Sequence, residues 1–143
     1  MKIINKKAKF NYILFEKFEA GVSLTGAEVK AIKTARADLS NSYVKIIRDE
    51  AYLVNANIPA DGVQNYNPTR SRKLLLHRAE LVSLSTKMKQ KKLTLVPVKV
   101  YTKGRLVKLE IALAKAKRKF EKKESIKKKD IEREIAQQLR SRY

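Results

Sequence analysis

The sequence has no cysteine and no tryptophan, a single histidine, three prolines and four glycines. Without cysteine there is no disulfide scaffold, no thiol nucleophile and no cysteine-ligated metal. One histidine, His77, falls short of a metal cluster, and its position after Leu74–Leu76 marks it as structural. Four glycines leave no Gly-rich phosphate loop. No run approaches the roughly 20 apolar residues of a membrane helix, and Met1 to Phe10 has no apolar segment of a secretory signal. A cytoplasmic protein without membrane attachment is the expectation. No nucleophile sits with a base. Glu16 and Glu19 are three apart on an expected strand and so point to opposite faces, and Asp49-Glu50 lies in a charged turn. No enzyme, metal or cofactor is therefore expected.

What the chain does have is positive charge. Its 143 residues carry 34 Lys plus Arg against 14 Asp plus Glu, a formal net charge of +20. Such a charge repels itself and calls for a polyanionic partner: nucleic acid, an anionic membrane or an acidic protein. Hydrophobic residues make up 43% of the chain, enough for one modest core.

Residues 1–11 are basic and weakly patterned. Tyr12 to Phe18 reads as a strand, with extended chain again at Val22–Leu24. Thr25-Gly26-Ala27-Glu28 fits a capping box opening a helix over Gly26–Thr34. Tyr43–Ile47 and Ala51–Ile58 form a predicted hairpin about Arg48-Asp49-Glu50, and Pro59–Pro68 is a predicted loop. Arg78–Gln90 reads as a helix with Leu81, Leu84 and Met88 on one face. Two strands then alternate with period two, one through Thr94, Val96, Val98 and Val100, the other through Val107, Leu109, Ile111 and Leu113, with Gly104 between them. Pro97 cannot donate to a ladder and marks an edge or a bulge.

This pattern predicts a mainly β domain with short helices over residues 1–113. About six short antiparallel strands must hide their edges, and a small closed barrel of the oligonucleotide-binding type does so. Residues 114–143 form a basic tail. Lys115–Lys129 holds nine Lys or Arg and two Glu in fifteen residues, too little apolar area to order itself. Ile131, Ile135 and Leu139 recur every four residues, which predicts an amphipathic helix over Asp130–Arg140, formed on binding.

For Arg70, Arg72 and Lys73 two readings stand open, a solvated surface and phosphate contact. The tail has two as well. As an arm on a phosphate backbone it would use its lysines for charge and Phe120 for stacking. As a membrane-surface segment it would need apolar residues along one face, where Phe120 is nearly alone. RNA is favoured over DNA, because no helix shows the pattern of a major-groove reader.

Several segments also resemble a known family. Glu19-Ala20-Gly21 followed by Leu24-Thr25-Gly26-Ala27-Glu28-Val29-Lys30 is similar to the signature of the SsrA-binding protein family, SmpB. Arg70-x-Arg72-Lys73-Leu74-Leu75-Leu76, Thr94-Leu95-Val96-Pro97, Val107-Lys108-Leu109 and Ala112–Lys117 match further segments in order, as do Asn5-Lys6 and Tyr12. The resemblance implies a barrel that binds the tRNA-like part of transfer-messenger RNA (tmRNA). It implies a tail that folds in the decoding centre and message channel of a stalled ribosome's small subunit. Elongation factor Tu and alanyl-tRNA synthetase are implied partners through that RNA. Carried over by position, Asn5, Lys6, Glu19, Lys30, Arg70, Arg72, Lys73, Leu75, Lys115 and Lys117 fall on the RNA surface. Phe120, Lys122, Lys123, Lys127, Lys128 and Ile131 fall on the ribosome-contacting tail. Simpler roles are open for some: a cap for Asn5, a strand-end partner for Glu19, core for Leu75. Glu28 is assigned to capping. Ala116, where the family has glycine, and Lys123, where it has arginine, depart from the pattern.

Overall fold

The computed structural model describes residues 2–60, 62–118 and 133. In chain order the elements are β1 (Lys2–Ile4), α1 (Lys6–Asn11), β2 (Tyr12–Val22), α2 (Gly26–Lys33), β3 (Tyr43–Ile47), β4 (Glu50–Val54), β5 (Arg72–Leu75), α3 (Arg78–Lys91), β6 (Thr94–Lys103) and β7 (Leu106–Ala116). All strand pairings are antiparallel. The order β6-β3-β4-β5-β2-β7 closes on itself through β6–β7, which gives a six-stranded barrel, and β1 adds to the far end of β6. Among the described residues closure leaves no long unpaired edge, as the alternating strands lead one to expect.

Local chemistry sets each turn. Arg48 and Asp49, with φ of 50° and 62°, make the two-residue β3–β4 turn. Positive φ at both positions matches the right-handed twist of the strands. Gly104, φ 63°, opens the β6–β7 turn. Thr25 caps α2: its hydroxyl accepts from Glu28 N (3.3 Å), and Glu28 Oε1 accepts from Thr25 N (2.9 Å). The core gathers the inward residues of the strands, including Leu53, Leu95, Leu109 and Ile111, with Ile32 from α2 and Leu84 from α3. Each such side chain contributes roughly 1.5–3 kcal/mol of burial. Leu81 and Met88 pack beside Leu84, on the face that the helical spacing predicts.

Four expectations change. The basic, weakly patterned start of the chain holds β1 at Lys2–Ile4 and α1 at Lys6–Asn11, both too short for periodicity to register. Ala51–Ile58 is a strand only to Val54; Asn55, φ 65°, ends it, although Ala56 and Ile58 stay buried. Residues 72–75, assigned to no element from the sequence pattern, form strand β5. The barrel does not stop at residue 113. β7 runs to Ala116, Lys115 pairs with Ile13, and Lys117 N donates to Asn11 O at 2.8 Å. Pro97 does mark a bulge, since the β6–β7 register shifts between Pro97 and Lys99. The expected helix at 130–140 and the tail residues Phe120, Lys122, Lys123, Lys127, Lys128 and Ile131 lie outside the described residues.

Candidate nucleic-acid interface

The family-matched segment at 70–75 divides by the strand's period of two. Arg72 and Leu74 face in, Lys73 and Leu75 face out. Arg72 is fully buried, and this removes it from the phosphate-contacting set. Its guanidinium has five donors, and all five are used. Nε donates to Glu28 Oε2 (2.7 Å), one terminal nitrogen to Ala56 O (2.9 Å) and Arg70 O (3.0 Å), the other to the Tyr66 hydroxyl (2.9 Å) and Pro68 O (2.9 Å). Arg70 Nε also donates to Glu28 Oε2 (3.1 Å), and its terminal nitrogen donates to Oε1. The Arg70 side chain is about a third exposed, so it is half lock and half surface. Burial pushes the Glu28 carboxyl up, but the bonds from Arg70, Thr25 N, Tyr66 and Arg72 outweigh it and hold the pKa at about 2. Glu28 therefore caps α2 and also pairs with two arginines, leaving the trio one net positive charge and fastening α2 to the loop before β5.

Outward from this lock lies the face with Leu75, which is 59% exposed and so not core. Gly21 of β2 sits opposite Leu75 in register and also opposite Lys108 of β7. A Cβ at Gly21 would stand 3.3 Å from Leu75 Cβ, so the glycine lets that leucine lie close to the sheet. Gly21, Leu75, Lys73, His77 and Lys108 share a groove of about 540 Å³. Lys73 also reaches Glu50 Oε1 at 3.2 Å, with both side chains well exposed. An exposed pair of that kind contributes little and opens easily to a phosphate. Two residues further along β2, Glu19 accepts from the Tyr101 hydroxyl and has Lys103 Nζ at 3.8 Å. The Tyr101 bond, against the opposing effect of burial, holds the Glu19 carboxyl below its ordinary value, with Lys103 and Lys108 assisting. Burial and the Glu19 bond push Tyr101 up to about 12. Glu19 is thus an ionised, exposed acceptor in a basic neighbourhood, able to accept a hydrogen bond from a base amino group.

Asn5 is 4% exposed, and the structure places it as a joint rather than as a surface contact. Its Oδ1 accepts from Ala8 N (3.3 Å) and caps α1, while Nδ2 donates to Leu39 O (3.1 Å) and Pro97 O (2.9 Å). It forms the floor of a groove of about 510 Å³ that Lys7, Tyr12 and Tyr43 also line. Lys6 and Lys30 are exposed on their helices, as is Lys115 at the end of β7; Lys117 is half-buried.

The structure brings Leu75, Lys73 and Lys108 together, with Glu19 on the same sheet, and sets Asn5 and Arg72 inside. Sequence reading missed Tyr101, Lys103, Lys108 and Gly21 as members of this surface, and Tyr66 as a member of the lock beneath it. For Lys108 and Tyr101 the alternation of β6 and β7 held a signal, because both stand on the face away from the core. Tyr66 lies in a loop with no period to read.

A closed six-stranded antiparallel barrel, cationic outside and carrying exposed apolar and aromatic side chains among its lysines, is a nucleic-acid-binding barrel. The comparisons narrow the class. The family model for the SmpB protein matches residues 2–141. An SsrA-binding protein of Malacoplasma penetrans (strain HF-2) is 44% identical over 141 residues, spanning 96% of this chain and 97% of that one. Another, of Thermosipho melanesiensis, is 44% identical over 146 residues, spanning 98% and 99%. A chain of the solved structure "tmRNA-SmpB: a journey to the center of the bacterial ribosome" superposes with a TM-score of 0.70 at 37% identity, covering 87% of this chain and 94% of that one. The chain belongs to the SmpB family.

Proposed function

We propose that this protein binds tmRNA and brings it to stalled ribosomes, where trans-translation rescues the ribosome and tags the incomplete product for degradation. The observation that carries this is family membership over nearly the whole chain, on a barrel with the same fold as a tmRNA-associated one. The barrel surface around Leu75, Lys73, Glu19 and Lys108 is the part that fits a folded RNA. Lysines supply attraction to phosphate, while an exposed leucine and an ionised carboxylate add shape and base-edge selectivity. Lys6, Lys30, Arg70, Lys115 and Lys117 extend the phosphate-facing surface. The basic segment from Phe120 to Ile131 takes the ribosome-contacting role. Elongation factor Tu and alanyl-tRNA synthetase join through the RNA, and the work is done in the cytoplasm by binding rather than by catalysis.

Sequencing the RNA that co-purifies with the full chain tests this. Strong enrichment of tmRNA over its cellular share is the expected outcome. RNA in proportion to abundance, mostly tRNA and ribosomal RNA, would make the chain a general RNA-binding protein.

A further inference from the structure

Strand β2 carries a bulge far from Leu75. Leu14 pairs with Ala114 and Lys17 with Ala112, so Phe15 and Glu16 together oppose the single residue Leu113. A bulge of this kind re-aims side chains, and Phe15 is left 51% exposed. It lies over a depression of about 350 Å³ with Leu93 and Leu113 as its apolar lining. Lys87 and Lys91 of α3 and Lys115 of β7 surround it. Glu16 accepts from Lys87 Nζ at 2.5 Å, which ties α3 to the bulge and presents a carboxylate at the rim. Lys87 Nζ also stands 5.9 Å from the centre of the Phe18 ring.

We infer that this depression is a second RNA contact of the barrel, one that takes an unpaired nucleotide. The base stacks on Phe15 above Leu93 and Leu113, and its phosphates lie against Lys91 and Lys115. Three features together favour this occupant. An exposed ring with open space over it is a stacking platform. The lysine rim is complementary to a polyanion. The Glu16 carboxylate can accept from a base N–H, the N3–H of uracil included. The site is separate from the Leu75 surface, since the six residue steps of β2 from Phe15 to Gly21 span about 20 Å. It does not depend on the tmRNA reading.

The test uses the full chain with a labelled single-stranded oligouridylate of about eight nucleotides, within the usual footprint of a small barrel. Phe15→Ser weakens binding roughly tenfold and Phe15→Tyr restores it, because stacking needs only the ring. Lys91→Ala lowers the slope of log affinity against log salt by about 0.7. Phe15 is half exposed, so thermal unfolding midpoints of the variants stay close to the parent's. A 5-iodouridine oligonucleotide cross-links to the segment around Phe15 in the unmodified protein. Parent-like binding by Phe15→Ser, or cross-links confined to other segments, would overturn the inference. Loss of oligouridylate binding in Phe15→Ser without any tmRNA preference in the parent would leave this site standing and sink the tmRNA reading. Leu75→Asp losing tmRNA while Phe15→Ser binds oligouridylate normally would do the opposite.

Discussion

Arg72 and Glu28 meet inside the barrel, Nε 2.7 Å from Oε2, and neither side chain has exposed surface. An arginine in a basic, family-matched run thus serves the fold directly and RNA only through it. Glu28→Gln leaves the buried Arg72 guanidinium without its countercharge, which costs roughly 3–5 kcal/mol; Arg72→Met leaves Glu28 paired with Arg70 but takes a donor from Ala56 O, Arg70 O and Pro68 O, at roughly 1–3 kcal/mol for each group left unpaired. Both variants should lower unfolding stability accordingly, measured as urea midpoints. Arg72→Lys should fail to rescue, because an ammonium cannot fill five fixed acceptors. A parent-like midpoint for Arg72→Met would return Arg72 to the surface set.

The same lock sets an acid limit. Glu28 has an ordinary pKa of 4.5 and is held at about 2 in the folded chain. Between these values the unfolded chain binds the proton and the folded chain does not, so stability rises with pH. The contribution is full above about 4.5 and is lost as pH falls toward 2. Unfolding free energy measured across that window should be steeper in the parent than in Glu28→Gln. Equal slopes would show that the carboxylates of Glu19, Asp38 and Glu50, also held below their ordinary values, carry the acid response instead.

Asn5 makes a similar division. Asn5→Ala should cost about 1 kcal/mol for the lost cap and roughly 1–3 kcal/mol more for the donor lost at Pro97 O, while Leu39 O still accepts from Ser42 N and Ser42 Oγ. Asn5→Asp keeps an acceptor for Ala8 N but cannot donate to Leu39 O or Pro97 O. It should therefore be destabilised by more than the cap alone explains, measured by chemical denaturation. A cost confined to about 1 kcal/mol in Asn5→Ala would mean that the two carbonyl bonds add nothing.

Leu75 and Gly21 separate binding from folding. Leu75 is exposed, so Leu75→Asp should change stability by less than about 0.5 kcal/mol while weakening tmRNA binding. Gly21→Ala sets a methyl 3.3 Å from Leu75 Cβ and should displace that side chain, with a cost of roughly 1 kcal/mol or more and a parallel loss of tmRNA affinity. If Leu75→Asp unfolds the protein, Leu75 belongs to the core after all.

Much of this fold is legible in local pattern. The Thr25–Glu28 box, the Leu81–Leu84–Met88 face and the alternation in β6 and β7 depend on neighbours close in sequence, so spacing alone reports them. β1 and α1 escape because three and six residues give no period, and their anchor, Asn5, bonds to carbonyls 34 and 92 residues away. β5 escapes because it inverts the usual pattern, placing an arginine inside and a leucine outside. That inversion depends on Glu28, 44 residues away, and no local window contains both. The candidate surface is legible mainly by likeness to the family, with the basic run at Lys73 and the alternation of β6 and β7 at Lys108 and Tyr101 as the local signals. Its members converge from β2, β5, β6 and β7 by strand register.

The most direct measurement is competition at physiological salt between tmRNA and total tRNA for the purified full chain, run beside Leu75→Asp. The expected result is a clear preference for tmRNA in the parent that falls in Leu75→Asp with the fold intact. Equal affinity for the two RNAs would contradict it, leaving the +20 charge as the whole basis of binding.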